Sequence, residues 1–190
     1  MFRQIAEAGG HQVSKMLKVN LQPDGPVLAI VRCCKPTLTI ASAKRASMYV
    51  LVVDREQLGV AAGNRARAIA AALRASGAWP FDITVVVKDR ALENWLVADL
   101  EALRRQPRRF SVSASMVRRV EPDHADSVDA LALLKQAAVG PHYDKKVDGA
   151  RIAAHQHLEV AARHSRSLRH LLHVLNHPLY AVQCSRAVVP

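Results

Sequence analysis

Two carboxylates one residue apart close the apolar run Met48-Tyr-Val-Leu-Val-Val-Asp-Arg-Glu56. Such a run reads as a buried strand that delivers Asp54 and Glu56 to its carboxyl end, and in open α/β sheets ligands bind in the crevice beyond that end. Two hard oxygen donors placed there suit Mg²⁺ or Mn²⁺. The plainer reading is a strand and a solvated turn, because acids also end strands and cap the helices that follow. A third acid, Glu93, falls in the first turn of a helix expected after a second apolar run, Asp82-Ile-Thr-Val-Val-Val87. There it converges with Asp54 and Glu56 on one edge as a metal ligand, or only stabilises the helix dipole, a contribution of roughly 0.3–1 kcal/mol. Asp99 sits nearly two turns further along and is a weaker candidate. His170, His173 and His177 share a helical face, with His155, His157 and His164 nearby, but their span is too long for one zinc ion.

The elements that must position these residues follow from periodicity. Phe2 to Lys18 reads as a short helix interrupted at Gly9-Gly10, followed by a turn at Pro23-Asp-Gly-Pro26 and a candidate strand, Val27-Leu-Ala-Ile-Val31. Lys35 to Ser47 is loop or short helix. Ala61 to Ser76 repeats apolar residues at helical spacing, with Gly77 as its stop. Asp89 is the expected N-cap of a helix from Arg90 through about Arg105, striped by Leu92, Trp95, Leu96 and Leu103. Two strand-to-helix transitions with acids at one edge imply parallel strands and right-handed crossovers. Beyond Pro107 the pattern turns helical: Ser127 to Ala138, about Ala150 to Arg163, and a last helix capped by Ser165 that reaches about Asn176 before His177-Pro178. Residues 1–178 read as one domain and 179–190 as a tail.

Composition bounds the function. The chain has 190 residues, half of them apolar, enough for one sizeable core. It has no apolar run of the roughly 18–20 residues that span a bilayer and no export signal, so a soluble, cytoplasmic protein without a membrane partner is expected. Cys33, Cys34 and Cys184 form no metal quartet and no evident disulfide framework. The formal net charge is +11. Basic residues cluster at Arg104, Arg105, Arg108 and Arg109, at Arg118-Arg119 and at Lys145-Lys146, a distribution that attracts nucleic acid, although biased composition or a solvated face gives the same pattern. Aromatics are only 4%, so contact through phosphates is expected rather than base stacking.

The order of motifs then points to a family. Strand-Asp-x-Glu, helix, strand, Leu92-Glu-Asn-Trp-Leu-Val-Ala-Asp99, Tyr143-x-Lys145-x-x-Asp148-Gly149 and Ser165-x-Ser167-Leu168 follow one another, and over Tyr49 to Val174 the chain resembles domain-of-unknown-function family 4276. The resemblance implies an α/β fold with a TOPRIM-like (Rossmann-like) parallel sheet flanked by helices and a helical carboxyl-terminal part, related to the nuclease half of the overcoming-lysogenisation-defect enzymes. It further implies a Mg²⁺- or Mn²⁺-dependent nuclease that can work with an ATPase partner in phage defence; nucleic acid is the expected substrate, DNA ahead of RNA, although the residues do not distinguish the two. Asp54 and Glu56 match the family's acidic pair, Glu93 the acid of the Trp-bearing helix and Lys145 the basic residue of the late turn. Tyr143 and Ser165 either touch phosphate or fix the turn and the cap. TOPRIM-like folds carry a glutamate after a first strand, whereas no strand precedes Phe2 here, Glu7 lies inside the first expected helix, and Glu56 stands where aspartate is commoner. The rival expectation is therefore a catalytically incomplete nucleic-acid-binding or protein-interaction module. A small-molecule phosphotransfer role lacks a Walker-type glycine-rich loop.

Overall fold

The computed structural model describes residues 1–56 and 59–180. In chain order the elements are α1 (Phe2–Ala8), α2 (Val27–Ala43), β1 (Met48–Asp54), α3 (Ala62–Ala75), β2 (Asp82–Lys88), α4 (Leu92–Val97), α5 (Leu100–Arg104), α6 (Ala114–Val120), α7 (Ala130–Ala137), α8 (Val147–His155), α9 (Leu158–His164) and α10 (Arg166–Val174). The chain is thus mixed α/β, with many helices and, among the described residues, a small open sheet of two parallel strands. Residue contacts divide it into two compact units: His11–Asp89, the strand unit, and Met1–Gly10 with the residues from Arg90 onward, the helical unit. The expected tail lies outside the described residues from 181 on, as does Cys184. Among the described residues no helix is long and apolar enough to cross a membrane.

In the strand unit, β1 and β2 pair in parallel with Met48 opposite Asp82 and Asp54 opposite Lys88, and α3 makes the crossover between them. Alternate residues of a strand face opposite ways. Leu51 and Val53 of β1, with Ile83, Val85 and Val87 of β2, therefore share a core with Ile30, Val31, Cys34 and Leu38 of α2 and Ile69 and Leu73 of α3. Each such aliphatic side chain removed from water contributes roughly 1.5–3 kcal/mol.

The strand expected at Val27–Val31 is instead the opening of α2, and the ambiguous Lys35–Ser47 stretch mostly continues it. The buried positions Ile30, Val31, Cys34, Thr37 and Leu38 have the spacing of one helical face. That period is masked in the sequence by Leu28, which is 70% exposed, and by Pro36 inside the helix.

The helical unit is built around α4, which packs against α5, α7, α8 and α9. Trp95 lies at its centre, fully buried, with the Phe2 ring of α1 5.7 Å away. Glycine is required after α1, because a Cβ on Gly9 would meet the Leu175 carbonyl oxygen at 1.7 Å, and Gly10 follows at φ +84°. Two long helices expected from periodicity are each broken. The helix of Arg90–Arg105 is α4 and α5, starting at Leu92 with Ala91 as N-cap, so Asp89 is not the cap. The helix of Ala150–Arg163 is α8 and α9, interrupted at Gln156-His157.

One buried carboxylate, Asp99, serves both interruptions. It caps α5 by accepting from the N–H groups of Glu101 (3.1 Å) and Ala102 (3.3 Å), and accepts from the N–H of His157, the N-cap of α9, at 2.6 Å. The helix expected from Ser127 begins at Ala130, where Asp129 accepts from the Ala132 N–H. Helix α6, capped by Ser113, is an addition to the elements read from periodicity.

Candidate functional site

At the carboxyl ends of the two strands the sequence reads Asp54-Arg55-Glu56 on β1 and Lys88-Asp89 on β2. The parallel register sets Asp54 opposite Lys88, and the ladder runs one residue further through the Arg55 N–H to the Lys88 carbonyl, 3.0 Å. Two crossed ion pairs result: Lys88 Nζ to Asp54 Oδ1 at 2.5 Å and Arg55 Nε to Asp89 Oδ1 at 3.1 Å. The Lys88 side chain is 10% exposed and that of Asp54 26%. Glu56 is exposed and sits at φ 55°, in the left-handed region, where the chain leaves the strand direction. Lys88 and Asp89 were not apparent as site residues in the sequence, because their partners are set by strand register rather than by local spacing.

In the helical unit the structure brings together the two motifs that resemblance connects. Glu93, buried in the first turn of α4, accepts an ion pair from Lys145 Nζ at 2.9 Å, and the Lys145 side chain remains 61% exposed. Tyr143 lies in the same turn with its hydroxyl buried and without a hydrogen-bond partner. Burial first, then the carboxylates of Glu93, Asp148 and Asp144, push its pKa well above the usual phenol range. Tyr143 therefore stays protonated at neutral pH and can donate a hydrogen bond, not take a proton. The turn itself is tied down by Asp144, which accepts from the N–H groups of Lys146 (2.8 Å) and Val147 (2.7 Å) at the start of α8, and by Asp148, which accepts from the Asp144 N–H at 2.8 Å.

Arg109 grips this turn from outside. Its Nε and Nη2 reach the two oxygens of Asp148 at 2.9 and 2.5 Å, Nη1 reaches the carbonyls of Val139 and Pro141, and Nη2 that of His142. The guanidinium holds the Asp148 carboxyl below its ordinary pKa. Among the other basic candidates, Arg104 pairs with Glu101 and Arg105 donates to the His155 carbonyl at 3.1 Å. Arg108 and Lys146 are exposed.

Asp54 and Glu56 belong to the strand unit and Glu93 to the helical unit. Among the described residues no group of three or more His, Cys, Asp or Glu side chains is placed to hold a metal ion, the histidines of α9 and α10 included. Burial lowers the pKa of His177, and burial together with His173 lowers that of His170.

A family model described as a domain of unknown function, DUF4276, matches residues 7–176. The chain belongs to this family. A search of curated proteins and a search of solved structures each return no match. Several residues of the sequence motifs that suggested the family prove to be architectural. Trp95 Nε1 donates to Ser167 Oγ at 2.7 Å, and Asp126 gathers the Ser165 hydroxyl (2.8 Å), the Ser167 hydroxyl (2.9 Å) and the Ser167 N–H (2.7 Å). Ser165 also caps α10 by accepting from the Leu168 N–H. Asn94 Nδ2 donates to the carbonyls of Ala125 and Val128, which ties the α6–α7 connection to α4. In this DUF4276 chain the Ser-x-Ser-Leu motif thus fixes a helix start and satisfies a buried indole, as buried polar groups require.

Proposed function

We propose that the chain is a TOPRIM-like, Mg²⁺- or Mn²⁺-dependent nuclease that hydrolyses phosphodiester bonds of DNA, working with an ATPase partner. The observation that carries this reading is the position of Asp54 and Glu56 at the carboxyl end of β1 in a parallel β-α-β arrangement, Asp54 partly and Glu56 well exposed. The donor set suits the ion. Mg²⁺ is commonly held by one or two carboxylates, with waters and substrate phosphates completing its shell. Asp54 and Glu56 would hold the ion, which would supply a water of lowered pKa and polarise the scissile phosphate.

The protein's own residues do the rest. Asp54 and Glu56 hold and orient. In the helical unit, taken by itself, the exposed Lys145 ammonium can pair with a nucleic-acid phosphate, with Glu93 fixing its position and the Arg109–Asp148 clamp keeping the turn rigid. Calorimetric titration of Mn²⁺ into the wild type and an Asp54→Ala, Glu56→Ala double variant tests this reading. Binding in the wild type that the double variant loses, with loss of DNA cleavage on Asp54→Ala, is expected. Cleavage that survives Asp54→Ala overturns it.

A second reading, a nucleic-acid-binding module without catalysis, is favoured by one feature: Asp54 and Glu93 are each already neutralised by a lysine. It differs in outcome, because DNA binding then persists or strengthens in Asp54→Ala.

A further inference from the structure

We propose that Lys88 is a built-in competitor for the metal at Asp54: its ammonium holds the carboxylate in the ion-free state and must leave it before a divalent cation can bind. The inference rests on the metal-centre reading above and deepens it by assigning the regulation of that centre.

Three observations carry it. First, Lys88 Nζ lies 2.5 Å from Asp54 Oδ1, in the direct contact a cation would need. Second, the contact is delivered by the backbone. Lys88 is the register partner of Asp54 on the neighbouring strand and its side chain is nine-tenths buried, so the ammonium does not reach Asp54 by a chance swing of a surface side chain. Third, the neighbouring guanidinium of Arg55 has an acid of its own at this edge, Asp89 at 3.1 Å, while the ion pair of Asp54 is with Lys88. An ammonium and a divalent cation on one carboxylate repel strongly where solvent screening is reduced. Entry of the metal therefore requires the ammonium to move off, and a phosphate arriving at the same edge is the group that stabilises it once it has moved. Metal and phosphate binding become mutually reinforcing, as any shared displacement makes them. The centre then stays weakly metallated until substrate is present.

Mn²⁺ alone is the probe, titrated calorimetrically into the wild type, Lys88→Met, Lys88→Arg and the Lys88→Met, Asp54→Asn double variant, with circular dichroism as the check on folding. Lys88→Met is expected to bind Mn²⁺ at least about tenfold more tightly than the wild type, because the competing charge is gone. Lys88→Arg should stay as weak as the wild type, and the gain should vanish in the double variant. Lys88→Gln replaces Lys88→Met if the latter does not fold. Asp54-dependent binding in the wild type that is equal or tighter than in Lys88→Met overturns the competitor role while leaving the metal centre standing. Absence of Asp54-dependent binding in every variant removes the metal centre itself, and the inference with it.

Discussion

The guanidinium of Arg109 has five N–H donors, and all five are committed: two to Asp148 and three to the carbonyls of Val139, Pro141 and His142. No donor is left for a phosphate, so this residue positions the Lys145 turn rather than contacting nucleic acid. Removing one partner of such a little-exposed pair leaves the other uncompensated, and Arg109→Ala is expected to cost roughly 3–5 kcal/mol in urea melts. Arg109→Lys should recover little of it, since an ammonium has three donors and no fork. The pair also sets a pH dependence. Asp148 is held below its ordinary pKa by Arg109 when folded, so its contribution is fully present above the unfolded value of about 4 and is lost as pH falls through the lower folded value. Melts between pH 2 and 6 should therefore lose stability at the acid end in the wild type and follow a flatter curve in Asp148→Asn. An unchanged acid limb in the variant would contradict the clamp.

Helix ends in this chain are set by single carboxylates more than by glycine and proline. Asp99 both starts α5 and anchors the N-cap of α9, so Asp99→Ala should destabilise by more than the roughly 1 kcal/mol of an ordinary cap, about 2–4 kcal/mol given the buried N–H groups left unpaired, as read by thermal or urea unfolding. An effect below 1 kcal/mol would show that water replaces it. The cap was visible in the sequence as Asp99-Leu-Glu, an acid just before a helical turn bearing a second acid, but the continuous apolar stripe across Leu96 and Leu103 outweighed it. β1, β2 and α3 were legible because their apolar periods are local and clean. Val27-Leu-Ala-Ile-Val31 was misleading because Leu28 is apolar yet exposed, so five apolar residues in a row concealed a helical face. At the candidate site, the acids of β1 and the Glu93 and Lys145 motif residues were legible as residue types. Their lysine partner on β2 and the Arg109 clamp depend on contacts 34 and 39 residues away in the chain, which no local pattern encodes.

For the whole molecule, the formal charge of +11 already counts every acid against a base, so ion pairing changes where positive charge is available to a polyanion rather than how much there is. Arg104, Arg105 and Arg109, three of the four arginines in the 104–109 cluster, are engaged with Glu101, the His155 carbonyl and Asp148. On the proposal that the chain binds DNA, affinity should weaken steeply with salt, with a slope of about −0.9 per phosphate neutralised. Charge reversal of Arg118 and Arg119 should lower that slope, whereas Arg109→Lys should leave it unchanged wherever the variant is folded; anisotropy titrations across a salt series read both. The crossed pairs at the strand ends bear on how the chain finds its fold at all. Val-Leu-Val-Val on β1 and Val-Val-Val on β2 are nearly uniform, so apolar contacts alone discriminate poorly between adjacent registers. Sliding one strand by a residue in one direction sets Asp54 against Asp89, and in the other sets Arg55 against Lys88. Either error meets like charge, so the four residues at the strand ends act as a code that favours the observed register over its two neighbours.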